Sequence, residues 1–167
     1  MEFTNQNIEL STLPEVEDSD FHGLEKDYLY MRLTAWGIFF FISGLVFSIW
    51  SLLGSFTWWQ WLAPWAALLA FILFVEIKGF SIKGYSIREK DISYKSGLIF
   101  FSMTSIPFNR IQHCEVGQGP LGRAFDLAAV KVYTAGGSSS DIIIRGLQEE
   151  RAQKLRDYIT KLSADYE

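Results

Sequence analysis

The sequence predicts a membrane α-helical hairpin of two transmembrane helices, followed by a small, mainly β barrel that a C-terminal α-helix caps. Three observations carry this prediction: a long run without charged residues, a later stretch of short alternating strands, and a final amphipathic helix. A chain of 167 residues has room for one ordinary domain with such a membrane appendage.

The first observation is a run of 43 residues, Leu33 to Val75, without Asp, Glu, Lys, Arg or His. A spanning helix takes about 20 apolar residues, and the small, polar segment 54–57 divides the run into spans 33–53 and 58–77. A soluble protein would need far more surrounding chain to cover two such helices than this sequence has left. The run therefore predicts a hairpin that lies in a membrane.

Charges and tryptophans near the hairpin predict its placement. Basic residues lie outside its two ends and are absent from the connecting turn, which places both termini in the cytoplasm under the positive-inside rule. All six tryptophans fall between residues 36 and 65. Four of them are predicted to anchor the hairpin at the membrane interfaces: Trp36, Trp58, Trp59 and Trp61.

The charge distribution divides the chain into three regions. Residues 1–32 carry 8 acidic and 2 basic side chains, without a sustained apolar period, so residues 1–30 are expected to form an acidic, flexible cytoplasmic tail. No cleaved signal peptide is expected, because this tail lacks an apolar segment. Residues 31–78 form the predicted hairpin, and residues 79–163 form the predicted β domain.

Short alternating runs after Lys78 predict the strands of an antiparallel meander. They are residues 85–87, 92–94, "LIFFSM" from 98 to 103, "RIQHCEV" from 110 to 116, "AAVKVYT" from 128 to 134 and "DIIIR" from 141 to 145. The closing segment "GLQEERAQKLRDYITKL" predicts one helix, with an apolar stripe at Ala152, Leu155, Ile159 and Leu162. That stripe is expected to cover the open end of the bent sheet.

The glycines of "GQGPLG", residues 117–122, have the spacing of a dinucleotide-binding loop, but the surroundings do not fit one. Only residues 123–127 separate Gly122 from the next strand, too few for the crossover helix that such a site requires. The glycines are interpreted as positions of positive φ in a long connection between strands. No cofactor is expected.

Neighbouring His113 and Cys114 are the remaining candidates for catalytic chemistry. Adjacent strand residues point to opposite faces, so these two side chains are not expected to share a site. One cysteine also excludes a multi-cysteine metal site. The chain is therefore expected to be no enzyme and to hold no metal.

The segment "YSIREKDISYKSGLIFFSMTSIPFNRIQHCEVGQGPLGRAFDLAAVKVYTAGG" after two spans, followed by a "GL" helix, resembles the bacterial pleckstrin-homology-like (PH-like) family, in particular the YdbS-like membrane proteins. The resemblance covers residues 30–162. It is carried by Ile106-Pro107 and Ile111, with Pro120-Leu121 and Arg123 in the glycine-rich loop. The sequence departs from the family habit at two positions: Cys114, where an aliphatic residue is usual, and Asp126, where a glycine often sits.

The resemblance implies a seven-stranded, helix-capped PH-like barrel of two near-orthogonal sheets, in the cytoplasmic (inner) membrane of a bacterium. It implies binding rather than catalysis, and assembly with itself or with a larger related PH-like membrane protein that acts in envelope physiology. Membrane lipids are further expected partners, and nucleic acids are not. The candidate partner-binding loop consists of Gly119, Pro120, Leu121 and Arg123.

Two hypotheses of function remain. The first is a membrane-held interaction module that contacts protein partners through loops or sheet edges such as "DIIIR". The second is a sensor of anionic lipid headgroups. Its candidate contacts are Lys83, Arg88, Lys90 and Lys95, although Glu89 and Asp91 interrupt this cluster.

Overall fold

The computed structural model describes residues 20–54, 58–135 and 140–164, with the backbone but not the side chains of residues 58 and 59. The elements in chain order are β1 (His22–Gly23), α1 (Lys26–Leu52), α2 (Trp58–Ile82), β2 (Gly84–Ile87), β3 (Asp91–Ser96), β4 (Ser102–Pro107), β5 (Ile111–Gly117), α3 (Pro120–Ala124), β6 (Leu127–Thr134), β7 (Ile142–Gln148) and α4 (Glu149–Ala164). All strand pairs are antiparallel, in one sheet of order β1-β2-β3-β4 and another of order β5-β6-β7.

The two long helices pack as an antiparallel hairpin through aromatic side chains. The rings of Phe40 and Trp65 meet edge to face at 5.3 Å, and Phe47 stacks on Trp61 at 5.4 Å. Gly44 lets the Trp65 indole approach, because a Cβ at Gly44 would lie 3.3 Å from that ring. Only 6% of the most apolar window of each helix is buried by the protein itself. Such exposed apolar helices are what the predicted membrane hairpin requires, since lipid would cover them.

Both helices extend beyond the predicted spans. Helix α1 begins at Lys26 and α2 ends at Ile82, whereas the spans were placed at 33–53 and 58–77. The residues before the first span and after the second are compatible with a helix, so the backbone stays helical beyond the apolar run. At this end the two helices reach the two sheets, which we call the β domain together with α3 and α4.

The core of the β domain lies between the two sheets and α4. Ile92 and Ile106 from the first sheet pack with Val130, Val132 and Ile144 from the second. Helix α4 closes this core with Ala152, Leu155 and Ile159, which are buried, while Leu162 packs at the edge. The predicted capping helix and its apolar stripe are confirmed. The helix begins at Glu149, because "GLQ" completes β7 instead of starting the helix.

Residues 20–30 depart from the expected flexible tail. Strand β1 pairs with β2 in the register His22 with Tyr85 and Gly23 with Gly84, and Leu24 and Tyr28 are buried in the core of the β domain. The physical reason is non-local: His22 and Gly23 pair with residues about 60 positions later along the chain, and Tyr28 packs on Gly146, beyond both membrane helices. The remainder of the predicted tail, residues 1–19, lies outside the described residues.

The segment "LIFF", predicted as part of a strand, is a loop instead. Strand β4 begins at Ser102, which pairs with Ser96, so residues 97–101 connect β3 to β4. Gly97 has φ +99°, and a Cβ there would overlap the carbonyl oxygen of Phe100. A tight glycine turn therefore ends the alternation, and the four apolar residues 98–101 project from the loop.

Candidate interaction site between the membrane helix and the β domain

A cleft of about 460 Å³ lies where the start of α1 meets the glycine-rich loop. Tyr28 and Met31 of α1 form one wall, and Gly119, Pro120 and Leu121 form the opposite wall. Arg145 of β7 supplies the only formal charge among the described lining residues. The cleft is thus mainly apolar, open, and built jointly by a membrane helix and the β domain.

Helix α1 is fixed to β7 through a glycine bulge. The register of β6 and β7 shifts at Ala128, so Gly146 is the extra residue, with φ +75°. The Tyr28 ring packs directly on Gly146, where any Cβ would overlap the ring. The Glu25 N–H donates to the Gly146 carbonyl at 3.0 Å, and the Glu25 carboxylate pairs with Arg151 of α4 at 2.6 Å.

The sheet edge that was predicted at "DIIIR" belongs to β7, the strand that α1 contacts. Strand β7 is the last strand of its sheet, as expected, but the start of α1 already bonds to it at Gly146. The Glu25 hydrogen bond occupies one acceptor on that edge. Arg145 and Gly146 of this strand line the cleft.

The glycine-rich loop forms the short helix α3, which the sequence did not predict. The interpretation of positive φ was wrong for Gly117, Gly119 and Gly122. Gly122 is required for space instead, because a Cβ there would lie 2.6 Å from the Leu127 carbonyl oxygen. The residue with positive φ is Asp126, at 53°, which an aspartate tolerates.

The candidate partner-binding loop splits into two groups. Gly119, Pro120 and Leu121 line the cleft, and Leu121 remains 39% exposed. Arg123 is exposed but is not among the cleft residues. The apolar members of the predicted loop therefore face the cleft, and its basic member does not.

The four candidate lipid-headgroup residues lie in two separate pairs. Lys83 and Lys95 lie at the end of the β2-β3 ladder next to α2, since Lys95 pairs with Gly84. Arg88 and Lys90 lie in the turn at its other end. The four residues of β2 separate the pairs by about 13 Å. No single cluster of four cations forms.

The two lysines near α2 each contact an aromatic ring. The Lys83 Nζ lies 5.5 Å from the Tyr28 ring centroid, and the Lys95 Nζ lies 4.1 Å from that of Phe21. Burial lowers the pKa of Lys83 below its usual range, although the nearby Glu76 carboxylate favours its charge. Lys83 is thus partly buried and already contacts the Tyr28 ring within the protein.

The predicted tryptophan anchors differ in their surroundings. Trp36 donates its indole N–H to the Glu76 carboxylate at 2.9 Å, beside the Arg32–Glu76 ion pair that links α1 to α2. The indole N–H of Trp61 is enclosed against the hairpin and has no hydrogen-bond partner among the described residues. The side chains of Trp58 and Trp59 lie outside the described residues.

His113 and Cys114 point to opposite faces of β5. His113 is exposed and stacks on Tyr133 at 4.3 Å, whereas Cys114 packs against the core. Burial raises the pKa of the Cys114 thiol to about 11, so the thiol stays protonated at neutral pH. Among residues 20–54, 58–135 and 140–164, no three His, Cys, Asp or Glu side chains group as metal ligands.

Two membrane helices followed by two antiparallel sheets and a capping helix define a membrane-associated PH-like module. The chain belongs to the Bacterial PH domain family, whose sequence profile matches residues 33–163. It is also 30% identical over 124 residues to the UPF0699 transmembrane protein YdbS of Bacillus subtilis (strain 168), covering 74% of this chain and 67% of that protein. The resemblance inferred from the sequence is confirmed.

A solved structure shows a weaker likeness. It is the crystal structure of a DUF1696 family protein with a pleckstrin-homology domain from Shewanella loihica PV-4. The TM-score is 0.38 with 15% sequence identity, over 48% of this chain and 70% of that chain. The family assignment rests on the profile match and on the Bacillus subtilis relative.

Proposed function

We propose that this chain is a non-enzymatic PH-like interaction module, held at the cytoplasmic face of a bacterial inner membrane, that binds another membrane protein through the cleft. The partner is a second copy or a larger related PH-like membrane protein, in an assembly that acts in envelope physiology. This proposal rests on one observation: a membrane helix and the β domain form the cleft together. Its walls come from membrane helix α1 and from the glycine-rich loop.

The position of the cleft supports a membrane protein as the occupant. Met31 in its wall is two residues from the charge-free run that begins at Leu33. A partner segment seated there would meet the apolar lining next to the membrane surface. A soluble ligand would gain little polar recognition from such walls, whereas an apolar protein segment would bury its side chains in them.

The orientation rests on the distribution of basic residues. Lys26, Arg32, Lys78 and Lys83 flank the two ends of the hairpin that meet the β domain, and residues 54–57 at the other end contain none. The positive-inside rule then puts the β domain, and with it the cleft, in the cytoplasm.

The headgroup-sensor hypothesis has less support from the geometry. Its four cations lie in two pairs, and Lys83 is half-buried against Tyr28. Sensing by charge alone would require the cations to act together on one anionic surface.

A photocrosslinking experiment tests the proposal on the full chain in native membranes. A photoreactive amino acid replaces Leu121 in the cleft, and a matched control carries it at Tyr158, an exposed residue of α4. We expect the label at residue 121 to yield a discrete adduct with a second copy of this chain or with a PH-like membrane protein, and the label at residue 158 to yield none. Lipid adducts alone at Leu121 would show that lipid rather than protein occupies the cleft, which would contradict the proposed module.

A further inference from the structure

The β domain carries one concentrated patch of exposed apolar side chains. Of its seven large apolar residues that are exposed in the described structure, five lie between residues 98 and 103. The three at the tip of the β3-β4 loop are the most exposed of these: Ile99 at 65%, Phe100 at 88% and Phe101 at 63%. We call these three residues the apolar tip. A patch of this kind in water is costly and marks a surface that contacts something else.

The apolar tip lies beside the end of membrane helix α2. Leu98 approaches Gly79 so closely that a Cβ on Gly79 would lie 3.8 Å from the Leu98 Cβ. A groove of about 270 Å³ between loop and helix is lined on the α2 side by Val75, Glu76 and Gly79. Val75 ends the charge-free run, and Gly79 is one turn further, about 6 Å along the helix axis.

The loop holds the tip in a defined position. Strands β3 and β4 pair up to Ser96 and Ser102, which leaves only five residues to connect them. Gly97, with φ +99°, makes the turn that brings its own Cα against the Phe100 carbonyl. The tip is therefore presented by a short hairpin on the same side as the end of α2.

We propose that the apolar tip inserts among the lipid chains of the leaflet next to the β domain, as a third membrane contact beside α1 and α2. Lipid is the expected contact of the tip because the groove runs from the tip onto α2 residues that border the charge-free, lipid-exposed run. Lys83 lines the same groove and Lys95 pairs with Met103 behind the tip. Lysines at that level suit the headgroup region above inserted apolar side chains.

The third contact has a structural consequence. Because α1 is fixed to β7, the hairpin and the β domain tilt in the bilayer as one body, and a contact offset from the helix axes limits that tilt. The cleft at Leu121 then keeps a constant height above the membrane. This inference does not depend on which protein occupies the cleft.

Collision measurements with spin labels test the proposal in the full chain. In a Cys114→Ala background reconstituted into phosphatidylethanolamine and phosphatidylglycerol vesicles, Phe100→Cys carries a nitroxide, and Tyr158→Cys on exposed α4 serves as the control. Oxygen concentrates in lipid chains, and a nickel chelate stays in water. We expect the ratio of oxygen to nickel collision rates to be several-fold higher at Phe100 than at Tyr158.

Two results would overturn the inference. Equal ratios at Phe100 and Tyr158 would place the tip in water. Low collision rates with both reagents at Phe100 would show that protein covers it, as in contact with a second copy. Ile99→Cys, labelled and measured in the same way, controls for a local disturbance caused by the label at residue 100. We expect it to give the same high ratio of oxygen to nickel collision rates.

Discussion

Gly146→Ala is expected to lower the free energy of unfolding of the β domain by about 2–5 kcal/mol. Gly146 adopts φ +75°, which disfavours an L side chain, and an added Cβ would overlap the Tyr28 ring. The variant must therefore strain the bulge and push α1 away from β7. Thermal unfolding of the full chain in nanodiscs measures the effect.

Two further variants separate the effect of the strained φ at Gly146 from the effect of the overlap with Tyr28. Gly37→Ala in α1 adds the same methyl where nothing lies within 4 Å, so its unfolding midpoint should equal or slightly exceed that of the parent, because alanine favours a helix more than glycine does. Combining Gly146→Ala with Tyr28→Gly removes both the ring and the Cβ of Tyr28, which the added methyl would overlap, but keeps the strained φ; Tyr28→Gly alone is its reference. If Gly146→Ala unfolded at the same midpoint as Gly37→Ala, the docking of α1 on the bulge would be refuted.

Glu76→Ala is expected to weaken the pairing of the two membrane helices by about 2–4 kcal/mol. The Glu76 carboxylate accepts from the Arg32 guanidinium and from the Trp36 indole N–H at 2.9 Å. Its removal leaves one cation and one donor without their partner at the end of the hairpin. The change is read from the thermal midpoint of the full chain in nanodiscs and from resonance energy transfer between labels on the two helices.

The double variant Arg32→Met with Glu76→Met is the control for this pair. Replacing both members of an ion pair by apolar residues of similar size is often close to neutral. We therefore expect the double variant to recover most of the loss, with Trp36 still lacking its acceptor. A loss as large as that of Glu76→Ala would show that the unpaired Arg32 charge is not the cause of the weakened pairing.

The hairpin and the capping helix could be predicted because each carries its signal within a single stretch of sequence. Forty-three residues without a charge define the membrane run, and the spacing of Ala152, Leu155 and Ile159 defines the buried stripe of α4. Neither inference requires knowledge of distant contacts. The ends of α1 and α2 were less predictable, because helical geometry does not stop where hydropathy does.

Strand β1 could not be predicted because its pairing partner lies beyond both membrane helices. A two-residue strand has no period of its own, and only β2 gives His22 and Gly23 their register. The loop at "LIFF" was missed for a related reason. Four consecutive apolar residues are equally compatible with a strand and with a lipid-facing loop.

The candidate site was predicted in part. The sequence singled out Gly119, Pro120 and Leu121, which the structure places in the cleft wall, but Tyr28 and Met31 of the opposite wall gave no local signal. They were missed because Tyr28 lies in the segment that was expected to be a flexible tail, and Met31 in the segment that was expected to lie in the membrane. The bulge glycine Gly146 stood in the "GL" that was assigned to the last helix.

Native mass spectrometry of complexes released directly from the membrane tests the central claim, that the cleft binds a membrane protein partner. The parent chain, Leu121→Asp in the cleft and Tyr158→Asp on α4 are compared at equal expression. The account predicts a complex with a second copy or a PH-like partner for the parent and for Tyr158→Asp, and its loss in Leu121→Asp. A complex of unchanged mass and abundance in Leu121→Asp would contradict the account.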